Sequence, residues 1–205
     1  METFYSLVTG YLLGSVPFGL ILTRLGGGGD LREVGSGNIG ATNVLRTGRK
    51  GIAVATLVLD MLKGTAAVLI ARALWPEAAP LAGLAAVIGH CFPLWLRFRG
   101  GKGVATLMGV SLGLAWPLGL TYALVWLGVF RLSRISSLAG ICAAISAPFA
   151  ALALGRPEPI QVLVPVLAAL ALLVLVMHRE NLARLKAGTE PRAGVGADSN
   201  AEKKP

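Results

Sequence analysis

VATLMGVSLGLAWPLGLTYALVWLGVF, Val104–Phe130, decides how this chain sits in a bilayer. The run is long for one membrane span, and Trp116-Pro117 stands near its middle. Divided there, its first piece of about thirteen residues rises only about 20 Å as a helix. A proline at that point can end one helix and open the next. One span or two sets the sidedness of everything that follows.

Working outward, five further apolar stretches read as spans: Phe4–Thr23, Gly51–Leu74, Leu81–Leu96, Leu138–Leu154 and Ile160–Met177. Each approaches the roughly 20 residues that cross a hydrocarbon core. The 205 residues are 55% hydrophobic and only 14% charged, against about 25% charged in a soluble domain. The N-terminal stretch is a retained span rather than a signal peptide, because Glu2 is its only early charge and no small-residue cleavage site follows.

The cations choose between six spans and seven. With the N-terminus outside and seven crossings, one side receives Arg24, Arg32, Arg46, Arg49, Lys50, Arg97, Arg99, Lys102, Arg131, Arg134, Arg179, Arg184 and Lys186. The other side receives WPEAAP, the Pro117 turn and GRPEP, where Arg156 is the lone loop cation. Positive residues concentrate on cytoplasmic loops, so seven spans satisfy every loop and six do not. The expected fold is an all-α polytopic membrane protein with about seven transmembrane helices, the fourth and fifth short. Residues 1–190 form its single domain. The polar, low-complexity tail 191–205 reads as disordered.

This topology brings three polar segments to the cytoplasmic face: GSGNIGATNVLRTGRK, Gly35–Lys50; GHCFPLWLRFRGGKGVAT, Gly89–Thr106; and HRENLARLKAGTE, His178–Glu190. Glycine-rich backbone presents N–H groups to anions. Ser36, Asn38, Thr42 and Asn43 add hydrogen bonds, and Arg46 adds a planar fork suited to phosphate. Lys102, between Gly101 and Gly103, is a point charge in a loop where backbone can approach closely. That loop is not a Walker A motif, because Leu96 stands where its first glycine belongs and Gly103 replaces the hydroxyl residue.

His90 and His178 are the two histidines. Neither opens a His-x4-Asp pair, since Trp95 and Ala183 occupy those positions, which argues against the acyl-CoA-using glycerolipid acyltransferases. Asp60 and Lys63 share one face of the second long span and read first as a mutual pair, with bracing of the neighbouring site as a further role open to them. Cys91 and Cys142 lack ligand spacing, and no carboxylate cluster suits Mg²⁺, so neither disulfide, metal nor cofactor is expected.

Together the three segments resemble, in order and spacing, the motifs of the acyl-phosphate:glycerol-3-phosphate acyltransferase (PlsY-type) family of bacterial membranes. The DMLKG stretch in the second long span is similar too. The resemblance covers the chain to about Glu190. It implies acyl transfer from acyl phosphate to the 1-hydroxyl of glycerol 3-phosphate, giving lysophosphatidic acid and phosphate, at a site facing the cytoplasm. No nucleic acid is implied. Arg46 and Lys102 are expected to bind phosphate, with Ser36, Asn38, Thr42, His90, Gly101 and Gly103 completing the substrate site. Asn43, His178 and Asn181 would position glycerol phosphate, and the expected catalytic residues are His178, Asn181 and Ser36. Either histidine or a substrate phosphate oxygen could take the hydroxyl proton. An organic-anion transporter is the rival class, although transporters favour a midplane site.

Overall fold

A computed structural model describes residues 1–155 and 160–193, and every regular element among them is helical. Arg156 and residues 194–205 lie outside the described residues. Pro191–Ala193 are placed, and the Ala193 N–H donates to the Arg134 carbonyl at 2.8 Å.

Five stretches are long and apolar enough to cross a membrane: Glu2–Leu25, Lys50–Leu74, Pro76–Leu96, Ser136–Leu154 and Ile160–Met177. The first is not one helix. It consists of α1 (Glu2–Gly14) and α2 (Phe18–Leu25), because Pro17 has no N–H to continue the ladder. A break at membrane depth must have its freed carbonyls satisfied from elsewhere. Here the Trp95 indole N–H donates to the Ser15 carbonyl at 2.8 Å and the Lys63 ammonium to the Val16 carbonyl at 2.7 Å.

A short helix α3 (Ala41–Arg46) precedes the second span, α4 (Lys50–Leu74). The third apolar stretch winds as α5 (Ala79–Cys91), then leaves the α-helix and ends in a tight turn over Leu94–Leu96.

The Val104–Phe130 run does divide. α6 (Val104–Leu114) and α7 (Trp116–Ser133) are separated by the single extended residue Ala115. Pro117, in the first turn of α7, opens that helix, where a missing N–H costs nothing. α6 is short, at 11 residues or about 17 Å of rise. α7 is longer than its apolar half suggested, because the helix continues through Arg131 to 18 residues.

α6 ends without an adjoining helix turn to take its last carbonyls. Arg72, in the last turn of α4, donates to the carbonyls of Gly113 at 2.9 Å and Leu114 at 2.7 Å. Arg72→Leu is expected to destabilise the bundle by about 2–4 kcal/mol, through two charge-assisted bonds. The check is the thermal midpoint in detergent, with Arg72→Lys falling between.

The bundle closes with α8 (Ser136–Leu154) and α9 (Ile160–Met177), followed by the amphipathic α10 (Arg179–Lys186). α1 packs chiefly on α5, α4 on α6, and α8 on both α7 and α9. Small residues allow the close approach: Ala143, Ala144, Ala147 and Ala151 of α8 are buried in the main core, the pattern expected where van der Waals packing drives helix association in lipid.

Candidate active site at one end of the bundle

The three polar segments meet. Asn38, Thr42, Lys102, Gly103, His90 and His178 all line one cavity of about 270 Å³. Its remaining wall is apolar: Leu57 from α4, Met108 from α6, and Ala123, Trp126 and Leu127 from α7. A polar end and a greasy flank therefore share one space.

The loop before α3 is organised by Asn43. Its Oδ1 accepts from the Ser36 N–H at 3.1 Å and the Ser36 hydroxyl at 3.4 Å, while its Nδ2 donates to the carbonyls of Leu31 (3.1 Å) and Val34 (2.9 Å). Asn43 is buried and turned inward, so it holds the loop rather than lining the cavity. Asn38 does line it, and its Oδ1 is buried with no hydrogen-bond partner among the described residues. Arg46, Ser36 and Thr42 are exposed.

Between α5 and α6 the chain turns back so that the Gly100 and Gly101 N–H groups bond the carbonyls of Cys91 and His90, each at 3.0 Å. A side chain at Gly101 is excluded, because its Cβ would lie 2.0 Å from His90 Nε2. Gly103 sits at φ +82°, the left-handed region that favours glycine. This tight path delivers Lys102, whose ammonium donates to Asn181 Oδ1. Burial, with Arg184 nearby and then Arg46, holds that ammonium below the usual lysine range.

Asn181 is gripped from its other end. Its Nδ2 donates to Glu190 Oε1 at 2.6 Å, an oxygen that also accepts from the Ser137 hydroxyl at 2.6 Å. Arg184 Nε donates to Glu190 Oε2 at 2.7 Å. Although burial pushes the Glu190 carboxyl up, the bonds from Ser137, Asn181 and Arg184 outweigh it and hold the group below the usual glutamate range. Glu190 thus ties α10 to the start of α8. Its importance was not read from the sequence, where it is merely the last residue of the third segment. Ser136, which lines the cavity, was missed as well; a hydroxyl pair two residues after the Arg134 cation was its only signal.

His178 stands just past α9 with Nδ1 at 2.8 Å from the Val174 carbonyl. That contact requires Nδ1–H, which leaves Nε2 as the acceptor of a neutral ring. Burial lowers the imidazole pKa to about 4. The folded state therefore binds fewer protons than the unfolded chain between about pH 6.5 and 4, and stability from this site falls as pH drops through that window. The thermal midpoint of the wild type should accordingly decline faster than that of His178→Gln between pH 6.5 and 4, and should track it above pH 7. Parallel curves throughout would contradict the assignment.

Asp60 and His90 complete the cavity floor, with Lys63 behind them. Lys63 Nζ is 2.7 Å from Asp60 Oδ1, and both side chains are 4% exposed, as the spacing on one helix face predicted. Among the described residues no three His, Cys, Asp or Glu side chains gather as a metal site.

A helical bundle with membrane-spanning apolar helices, and with cationic and amide side chains at one end of a cavity whose other wall is apolar, defines an integral membrane protein with a buried polar site. More specifically, the chain belongs to the glycerol-3-phosphate acyltransferase family, which it matches over residues 4–188. Among its relatives, the glycerol-3-phosphate acyltransferase of Novosphingobium aromaticivorans is 71% identical over 194 residues, covering 95% of this chain and 96% of that protein. The protein of the same name from Ruegeria sp. is 63% identical, covering 90% of each. The crystal structure of PlsY (YgiH), an integral membrane glycerol 3-phosphate acyltransferase, in its glycerol 3-phosphate form, superposes with a TM-score of 0.87 at 41% identity. It covers 95% of this chain and 96% of that one. The lysophosphatidic acid form of the same enzyme gives a TM-score of 0.85 at 39% identity, covering 94% and 95%.

Proposed function

We propose that this protein transfers a fatty acyl group from acyl phosphate to the 1-hydroxyl of glycerol 3-phosphate, releasing lysophosphatidic acid and phosphate. The single observation that carries this reading is the shared cavity, where Asn38, Thr42, Lys102 and His178 face an apolar flank formed by Leu57, Met108, Ala123, Trp126 and Leu127. The polar end suits phosphate, and the flank suits an acyl chain. Family membership favours this reading over an organic-anion transporter.

The mixed anhydride is already activated, so direct attack of the hydroxyl on the carbonyl carbon suffices. The C–O bond to phosphate breaks as the new ester forms. Lys102 and Asn38 oppose charge growing on the leaving phosphate and the carbonyl oxygen. His178 Nε2 orients the hydroxyl as an acceptor. With its pKa lowered to about 4, this imidazole is a weak base at neutral pH, which favours a substrate phosphate oxygen as final proton acceptor. Asn181 acts through Lys102, and Ser36 through the loop that carries Asn38.

The distribution of cations supports the cavity facing the cytoplasm, with the N-terminus outside and the chain seated in a bacterial inner membrane. The test of function is phosphate release by purified protein in detergent, with palmitoyl phosphate and glycerol 3-phosphate, EDTA present and palmitoyl-CoA as the alternative donor. Release that requires both acyl phosphate and glycerol phosphate, with lysophosphatidic acid formed, is the expected result. Turnover with palmitoyl-CoA alone would overturn the choice of donor.

A further inference from the structure

Phosphate binding by Lys102 depends on a loop whose own support lies deeper in the membrane. The Lys63 ammonium reaches three ways: 2.7 Å to Asp60 Oδ1, 2.7 Å to the Val16 carbonyl at the break in the first span, and 5.7 Å to the centroid of the Phe18 ring. Asp60 lines the cavity, and its Oδ1 faces His90 Nδ1 at 3.7 Å. The far side of the same imidazole abuts Gly101, where an added Cβ would fall 2.0 Å from Nε2. The backbone of His90 also accepts the Gly101 N–H at 3.0 Å. A row of adjoining groups therefore runs from Val16 through Lys63, Asp60 and His90 to Gly101, the Asp60–His90 step being a packing neighbour rather than a hydrogen bond. Lys102 is the next residue.

Stability alone does not explain this arrangement. A buried ion pair is often matched or bettered by apolar side chains of similar volume, whereas loss of one partner leaves a costly bare charge. Ionisable groups within a membrane are expensive and ordinarily tied to function. A carboxylate at the floor of an anion-binding cavity would also repel substrate unless a cation neutralised it, and Lys63 does so at contact distance. The pair thus supplies a buried, net-neutral support beneath a glycine loop that has few side chains of its own to hold it.

We propose that Asp60, Lys63 and His90 form one positioning unit that sets the Gly100–Gly103 loop, and with it Lys102, for binding glycerol 3-phosphate. The inference rests on the acyltransferase reading above. None of the three is assigned a bond to the reacting atoms.

The test is a kinetic cycle on the full chain in detergent, begun only once wild-type turnover has been measured, so that failure of the acyltransferase reading is seen first and separately. Asp60→Leu/Lys63→Met removes the pair without stranding a charge, and His90→Leu removes the contact to the loop. His90→Leu is expected to keep a thermal midpoint near wild type, and Asp60→Leu/Lys63→Met to fold with a lower one because the Val16 carbonyl loses its donor. Each should raise KM for glycerol 3-phosphate about tenfold, with kcat within about threefold. Combined, they should raise KM little beyond either alone, because members of one unit are not additive. Wild-type KM in a folded Asp60→Leu/Lys63→Met protein would reduce the pair to a structural role and overturn the proposal. A fall in kcat at unchanged KM, or KM effects that multiply, would overturn it too. If Asp60→Leu/Lys63→Met does not fold, Asp60→Asn/Lys63→Met, which also strands no charge, takes its place in the cycle under the same criteria.

Discussion

Replacing Lys102 by methionine is expected to lower kcat/KM for glycerol 3-phosphate by about 10²- to 10³-fold, the loss typical of one preorganised charge-stabilising donor. Methionine keeps the length and apolar stem of the side chain, so the loop should remain in place. The ammonium is part-buried and bonded to Asn181, which Glu190 in turn holds at 2.6 Å. Loss of the charge therefore removes the cation from a position fixed by α8 and α10 together. Lys102→Arg should recover little, because a planar fork does not fit where a compact charge is held against one amide oxygen. Near-normal turnover by Lys102→Met, in steady-state assays with both substrates, would remove Lys102 from the phosphate site.

Gly101→Ala is expected to be nearly as damaging, for a different reason. Its methyl group would fall 2.0 Å from His90 Nε2 and 2.7 Å from Cε1, a side chain buried on all sides and unable to yield. The loop must shift, carrying Lys102 with it, and a displacement of about 1 Å near the chemistry can cost about 10²-fold in rate. His90→Ala in the same chain makes room for the methyl. The double variant should therefore recover the thermal midpoint lost by Gly101→Ala, while activity recovers less, because His90 no longer supports the loop. Full activity in Gly101→Ala would show that the loop adjusts freely, contrary to the packing described.

Much of this architecture was legible before any coordinates. Hydropathy marks the spans because every residue facing lipid must be apolar, whatever its neighbours. Pro117 marks the division of Val104–Phe130 because a missing N–H is a local property of the chain. The side-by-side placement of Asp60 and Lys63 follows from helical period alone. The three glycine- and cation-bearing segments stand out because such residues are costly in lipid, and charge bias puts them on one face. Asn38, Thr42, His90, Lys102, Gly103 and His178 do line one cavity.

Other features were not legible, for a common reason. Pro17 was present in the first apolar stretch, yet that stretch reads as one span since hydropathy is indifferent to where backbone carbonyls find partners. Those partners, Lys63 for Val16 and Trp95 for Ser15, lie 47 and 80 residues away. The length of α7 was obscured because Arg131 reads as a boundary although the helix runs past it to Ser133. Asn43 looked like a ligand-binding amide by composition, and only the surrounding loop shows that its amide is spent on Leu31, Val34 and Ser36.

By itself, then, the sequence determined a polytopic helical membrane protein with basic, glycine-rich polar segments gathered at one side, because transfer to lipid, missing donors and charge asymmetry act residue by residue. Tertiary structure alone decided which polar groups face the cavity and which face each other. It made Glu190 the clamp on Asn181, Arg72 the cap of α6 and His90 the wall behind Gly101. Hydrogen bonds and packing act only over a few ångströms, and the folded bundle is what brings these distant residues within that range.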